Sequence, residues 1–305
     1  MSGIRAPMQQ DRVPDTGLLP FKPALARAAE LAQSQIATSL SGLDSDVAQA
    51  MLYAVEGGKA LRAFLVIEGA RLHGIDRQDA APAAAAIEAL HAYSLVHDDL
   101  PCMDDDDLRR GKPTVHRKWN ETVAVLAGDA LQALAFQLAA QSPCPAKPCV
   151  ALIHGLAVAA GAHGMVGGQA MDIAAETAKT PLNLEQTTQL QAGKTGALIT
   201  WSATAGPVMA GAASDKLRIY GECLGLAFQI ADDILDVIGD AATVGKAVGK
   251  DAGRGKATFV SHLGLDGAKR RAQSLVTEAS DALSVYGAAA ECLREAARFV
   301  ISRKN

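Results

Sequence analysis

The segment His97-Asp98-Asp99-Leu100-Pro101-Cys102-Met103-Asp104-Asp105-Asp106-Asp107-Leu108-Arg109-Arg110-Gly111-Lys112-Pro113-Thr114 sets six aspartates directly ahead of two arginines. A second acidic cluster, Asp232-Asp233-Ile234-Leu235-Asp236, sits far downstream inside an apolar run. Carboxylates drawn into apolar surroundings need compensating positive charge. Two such clusters point to one cavity that holds several divalent cations. The neighbouring arginines point to a ligand that carries phosphate.

Asp232 and Asp236 are four residues apart, so on a helix they share one face about 6 Å apart along the axis. Like charges at that spacing repel unless cations lie between them. Hard carboxylate oxygens suit magnesium, which keeps several waters and takes phosphate oxygens as further ligands. Asp98 and Asp104 are six apart, roughly 120° apart around an ideal helix. Pro101 disfavours helical backbone at Leu100. The sequence therefore predicts a distortion or helix end at Leu100 to Met103, letting Asp98 and Asp104 reach shared ions. Asp105, Asp106 and Asp107 fit a solvated charge run as well as a site.

A basic constellation precedes these clusters. In Gly57-Gly58-Lys59-Ala60-Leu61-Arg62-Ala63, glycines end one helix and Lys59 and Arg62 open the next. A helix N-terminus with two cations is a good anion site. His91 lies on the helix that leads into the first aspartates, where spacing alone assigns it no role. Gly239 to Lys256, rich in glycine and lysine, interrupts the helices after the second cluster. A basic loop there would suit a lid over a phosphate site.

The elements that must position these residues read as helices almost throughout. Alanine is abundant, aromatic residues make up 4% of the chain, and alternating β-branched runs are scarce. Helices are predicted over Phe21–Leu40, Asp44–Val55, Ala60–Leu72, Asp79–Val96, Thr122–Ala140 and Val150–Ala162. Thr180-Pro181 reads as an N-cap and first helical residue of a helix reaching Gln191. Further helices follow over Leu198–Met209, Asp215–Val237, Asp266–Tyr286 and Ala288–Ser302. No composition shift marks a linker. The expected architecture is an N-terminal tail over residues 1–16 and one all-α domain over residues 17–305, a large antiparallel bundle.

Composition excludes several classes. The 305 residues are 49% hydrophobic with a net charge of −4, so neither a global basic field nor a basic aromatic segment favours nucleic acid. Five scattered cysteines without a CxxC pair suit a reducing cytoplasm. The start of the chain lacks the apolar core of a secretory signal. Pro148 to Met171 and Thr195 to Ser214 carry no charged residue, but glycines and polar residues break both. They are expected to be buried helices of a soluble bundle rather than membrane spans. No Ser-His-Asp or Cys-His pattern argues for a protein nucleophile.

With these residues in view, the chain resembles the trans-prenyl diphosphate synthases, and among them the bacterial farnesyl type. Gly57 to Arg62 looks like the family's GGKxxR motif, and His91 to Thr114 like its first aspartate-rich region, with four residues between the paired and third aspartates. Lys194-Thr195, the run Phe228 to Asp236, and Lys246 with Gly255-Lys256 also fit. Ala60 and Ala63 depart from it, since many members carry Arg or Lys and then Pro there. The resemblance implies an isoprenoid-synthase bundle with a central cavity. It implies that Asp98, Asp104 and Asp232 hold three magnesium ions, which manganese could replace, with Asp99 and Asp236 in support. It assigns Arg109, Lys194, Lys246 and Lys256 to the allylic diphosphate. Lys59, Arg62, His91 and Arg110 are assigned to isopentenyl diphosphate, and Thr195 and Gln229 to the developing carbocation. It further implies a homodimer.

The implied reaction is ionisation of dimethylallyl or geranyl diphosphate, condensation with isopentenyl diphosphate, and elimination, with farnesyl diphosphate and diphosphate as products. Tyr93 and Ser94 lie one turn below Asp98, where they would gauge chain length. Ser94→Phe is expected to shorten the product and Tyr93→Ala to lengthen it. The alternatives are a ten- or twenty-carbon product, and a non-catalytic partner subunit. A terpene cyclase would need neither the Lys59/Arg62 site nor the Asp232 cluster, and nothing indicates the water-activating residue of a phosphohydrolase.

Overall fold

The structure is a computed structural model that describes residues 15–242 and 257–302. Among these it is all-α apart from one two-residue hairpin. In chain order the helices are α1 Phe21–Ser39, α2 Asp46–Val55, α3 Leu61–Arg71 and α4 Arg77–Asp98. The hairpin β1 Leu108–Arg109 and β2 Lys112–Pro113 comes next. It is followed by the one-turn α5 Val115–Lys118, then α6 Glu121–Ala140, α7 Ala146–Ala160, α8 Met165–Glu176, α9 Leu184–Gln191, α10 Ala197–Met209, α11 Asp215–Ala242, α12 Phe259–Ala282 and α13 Glu291–Ser302.

Local signals set most boundaries. Ser45, Asp76 and Asn120 each accept a backbone N–H of the first turn of α2, α4 and α6. The alanine tract of α4 is wholly buried, with Ala80, Ala81, Ala83, Ala84, Ala85 and Ala86 at 0% exposure. Small side chains there let α1 and α3 pack closely on α4, the helix that carries His91 to Asp98. One apolar core runs from Phe21 on α1 to Val300 on α13.

Three expectations shift. The helix expected from Thr180-Pro181 begins at Leu184. Asn183 and Gln186 form a reciprocal capping box, Gln186 N donating to Asn183 Oδ1 at 2.9 Å and Asn183 N to Gln186 Oε1 at 3.0 Å. The helix expected from Asp266 begins at Phe259, where Thr258 and Ser261 cap each other, and Gly264 at φ +69° kinks it. Pro148 to Met171 is not buried throughout as expected: the helix expected over Val150–Ala162 spans Ala146–Ala160, α8 starts at Met165, and Val150, Val158, Val166 and Met171 are exposed. Thr195 to Ser214 is buried along α10 as expected.

By length and composition alone, α6 and the α7–α8 stretch could each cross a membrane. The break divides the second into helices of 15 and 12 residues. Each is short of the roughly 20 residues a span requires.

The last residues of the expected tail are tied down. Arg77, fully buried, donates to Asp15 Oδ1 at 2.7 Å and to the Gly17 carbonyl at 2.6 Å, and pairs with buried Glu68 at 3.1 Å. Residues 1–14 and 243–256, including Lys246 and Lys256 of the expected lid, lie outside the described residues.

Candidate active site

The first acidic cluster begins where α4 ends, at Asp98. The backbone then closes on itself: Asp104 N donates to Asp98 O at 2.9 Å, and Met103 N and Asp105 N to Leu100 O at 2.8 and 3.2 Å. This is the helix end anticipated from Pro101, and it returns Asp104 to Asp98. Burial pushes the Asp98 carboxyl up to about 6; Lys194 pulls it back and Asp104 adds to the rise.

The hairpin that follows aims both arginines. Its two turn residues, Arg110 and Gly111, have φ +52° and +75°, the left-handed pair that a two-residue hairpin needs. Arg109 turns back onto Asp99, with Nε 2.7 and 2.9 Å from the two carboxylate oxygens. Burial opposes the charge of Arg109, but Asp99 outweighs it and holds the guanidinium above its ordinary pKa. Asp99 is therefore engaged by Arg109. Arg110 donates to Glu56 O at 3.2 Å and lies against Gly58. Asp107, given no task beyond local charge, pairs with Arg117. Asp106 stands 4.0 Å from Arg109.

Arg110 thereby reaches the second basic group. Lys59, Arg62, Glu88, His91 and Arg110 line one pocket of about 240 Å³. Arg62 is pushed below its ordinary pKa by burial, eased by Glu88 and reinforced by Arg110. Its Nε is buried and has no hydrogen-bond partner among the described residues. His91 falls well below its ordinary value through burial and then the charges of Arg62, Arg110 and Arg109. A buried donor without an acceptor, among cations that repel one another, is prepared for an anion. Glu88 accepts Ala63 N at 2.9 Å and so holds the start of α3 against α4.

The opposite wall is made by α8, α10 and α11. Lys194 and Thr195 occupy a π-helical turn, Ala192–Gly196, between α9 and α10. Such turns are rare and concentrate at functional sites. Gly168 on α8 makes the approach feasible, since a Cβ there would stand 2.1 Å from Lys194 N. Lys194 Nζ thus reaches Asp172 Oδ2 at 2.6 Å. Thr195 Oγ1 donates to Gln229 Oε1 at 3.3 Å, and Gln229 Nε2 to Asp233 Oδ1 at 3.0 Å. The other oxygen of Asp233 accepts Phe259 N at 2.7 Å, fixing the start of α12. Asp232 and Asp236 stand on the same helix, both half-buried.

These groups are joined by one cavity of about 580 Å³ that takes in Asp98, Lys194, Thr195, Arg62 and His91, and below them Tyr93 and Ser94. Arg62 and His91 belong also to the cationic pocket, and Lys194 to a smaller one with Asp172, Gln229 and Asp233. Tyr93 is buried; its hydroxyl faces Gln132 without a well-formed hydrogen bond. Ser94 donates to the His91 carbonyl at 2.9 Å.

Among the described residues, no three His, Cys, Asp or Glu side chains converge as a ready-made metal cage. A divalent cation held by one or two carboxylates, with water and substrate phosphate completing its shell, needs no such cage. The crowding of Asp98 by Asp104 in a half-dry cavity is the chemistry such an ion would relieve.

Glu88 and Asp172 carry weight that spacing did not reveal. Glu88 lies three residues before His91 on the same helix face. Asp172 is a lone carboxylate ending a charge-free run. Those were the signals available.

A family profile described as polyprenyl synthetase matches residues 44–292. The chain is 44% identical over 268 residues to the farnesyl diphosphate synthase of Escherichia coli (strain K12), covering 85% of this chain and 89% of that protein. It is 41% identical over 273 residues to geranylgeranyl pyrophosphate synthase 9, chloroplastic, of Arabidopsis thaliana, covering 86% and 76%. A solved structure of an FPP/GFPP synthase from Zymomonas mobilis superposes with a TM-score of 0.83 at 43% identity, over 92% of this chain and 99% of that one. With a match that runs from α2 to α13 and encloses both acidic clusters, the chain belongs to the polyprenyl synthetase family.

Proposed function

We propose that this chain is a trans-prenyl diphosphate synthase that condenses dimethylallyl or geranyl diphosphate with isopentenyl diphosphate, with farnesyl diphosphate as its main product. One observation carries the reading. A cationic pocket with an unpartnered Arg62 Nε opens, through Arg62 and His91, into a cavity edged by Asp98 and Lys194. Two diphosphate-bearing substrates need two such anion sites side by side.

In this reading Lys59, Arg62, His91 and Arg110 bind the diphosphate of isopentenyl diphosphate. Asp98, Asp104 and Asp232 would hold three magnesium ions, with Asp99 and Asp236 in support; Lys194 and Arg109, with Lys246 and Lys256 from outside the described residues, would hold the allylic diphosphate. Bound magnesium would draw charge from that diphosphate as its bond to the allylic carbon breaks. Lys194, oriented by Asp172, stabilises the same charge. Thr195 and Gln229, hydrogen-bonded to each other, lie near the developing carbocation. The apolar cavity below Asp98 takes the chain and keeps water from it. The mixed relatives, which include farnesyl and geranylgeranyl enzymes, leave ten- and twenty-carbon products as the alternative.

The continuous core supports a single domain over residues 17–305. The exposed apolar side chains of α6, α7 and α8 support a homodimer. The described cysteines are all free, which suits a cytoplasmic enzyme.

Arg62→Ala tests the two-site assignment. The KM for isopentenyl diphosphate is expected to rise at least about tenfold, since a charge-assisted contact is lost, with the KM for geranyl diphosphate little changed. An equal rise in both would contradict it.

A further inference from the structure

The helices α4 and α6, which flank the cavity, pack against each other, and one glycine sits in their contact. Gly128 is buried on α6 and faces the imidazole of His97 on α4. A Cβ at residue 128 would stand 2.0 Å from His97 Nε2, 2.3 Å from Cδ2 and 2.7 Å from Cε1. All three are atoms of one rigid ring, so the ring as a whole would have to leave. At present Nε2 lies 3.1 Å from the carbonyl oxygen of Val125, one turn earlier on α6. The ring also meets the edge of Tyr93, with centroids 5.8 Å apart and planes at 82°. His97, Tyr93 and Val125 all line the cavity below Asp98.

We infer that Gly128 determines product length by keeping the His97 ring out of the space into which the prenyl chain grows. The inference rests on the elongation reading above and deepens it. The interior beside α4 is close-packed, with Ala89, Leu90, Ala92 and Val96 all buried, and close-packed interiors do not yield room for an imidazole. The cavity that His97 and Tyr93 both line is open volume next to the ring. Any side chain at residue 128 therefore drives the ring into it, beside Tyr93, where the end of a growing chain must pass. Removing the ring has the opposite effect. Tyr93 then loses the neighbour it packs against, and its hydroxyl has no well-formed hydrogen bond to hold it in place. Its ring can settle into the gap and deepen the cavity.

The test is a double-mutant cycle read by product length. Wild type, Gly128→Ala, His97→Ala and the double variant are each given dimethylallyl diphosphate, isopentenyl diphosphate and magnesium, and the dephosphorylated products are separated by chromatography. Gly128→Ala is expected to raise the ratio of ten- to fifteen-carbon product about tenfold or more. The rate of the first condensation should stay near that of wild type, because the shorter chain ends above the displaced ring. His97→Ala should shift product toward twenty carbons. In the double variant the alanine methyl occupies space the ring has left, and the fifteen-carbon product should return. That non-additivity is what a shared site requires.

A folded Gly128→Ala protein with the wild-type product ratio would overturn the inference. Should Gly128→Ala fail to fold, the two His97→Ala backgrounds decide: a shorter product in the double variant than in His97→Ala supports it, and identical products overturn it. A wild-type protein that elongates no starter would instead overturn the elongation reading itself.

Discussion

Asp98 sits where its own charge is opposed, its carboxyl raised by burial to about 6 with Asp104 adding to the rise. A carboxyl raised on folding is ionised in both states above that pH, so near neutrality the folded protein bears the whole penalty. Asp98→Asn is therefore expected to stabilise the metal-free protein at pH 7, by about 1–2 kcal/mol after allowance for water reaching the half-buried group. The same change should cut turnover at least about a hundredfold. Thermal melts in chelator and a product assay check both parts; a lower Tm, or retained activity, would contradict the account. His91 shows the opposite sign. Burial and three arginines hold it neutral in the folded protein, whereas the unfolded chain takes up a proton below about pH 6.5. Stability conferred by neutral His91 is complete above that pH and is lost as pH falls. The stability of His91→Gln relative to wild type should thus improve steadily from pH 7 to pH 5, and a constant difference would count against it. At this scale Asp98, Asp104, Asp232, Lys59 and Arg62 stood out as candidates because residue type and spacing alone make them improbable in a passive core. Glu88 and Asp172 were not, because each acts on a partner distant in sequence, Ala63 N and Lys194 respectively.

Among the elements, the start of α3 holds strain at the anion site. Ala60 caps that helix at φ +50°, a left-handed conformation that a Cβ disfavours. Ala60→Gly should relieve it, net of the entropy glycine adds to the unfolded chain, and raise stability by about 0.5–1 kcal/mol. Chemical denaturation measures this, and a loss of stability would contradict it. The Ser-, Asp- and Asn-capped starts of α2, α4 and α6 were legible to within two residues. The start of α9 was misjudged because Thr180-Pro181 carries an equally good local signal, and only the reciprocal bonds of Asn183 and Gln186 decide between them. The π-helical turn under Lys194 left no mark in residue type. It arises because α8 presents Gly168 to the backbone of Lys194, a tertiary approach that no local pattern encodes.

For the whole molecule, the helical architecture followed from composition and periodicity, whereas its exposed apolar surface did not. Charge-free runs look alike whether they face a core or a partner, which is why α7 and α8 were expected to be buried. If α6 and α7 form a dimer face, the paired change Leu126→Asp and Val158→Asp should convert a dimer to a folded monomer in light scattering. An unchanged mass would place the partner surface elsewhere. The central claim is that both anion sites and the apolar cavity serve one elongation. Its most direct measurement is to give the purified protein isopentenyl diphosphate, magnesium and, in separate reactions, dimethylallyl, geranyl or farnesyl diphosphate, and to identify the products. The account predicts magnesium-dependent fifteen-carbon product from the first two starters and little extension of the third. Absence of elongation with every starter would contradict it.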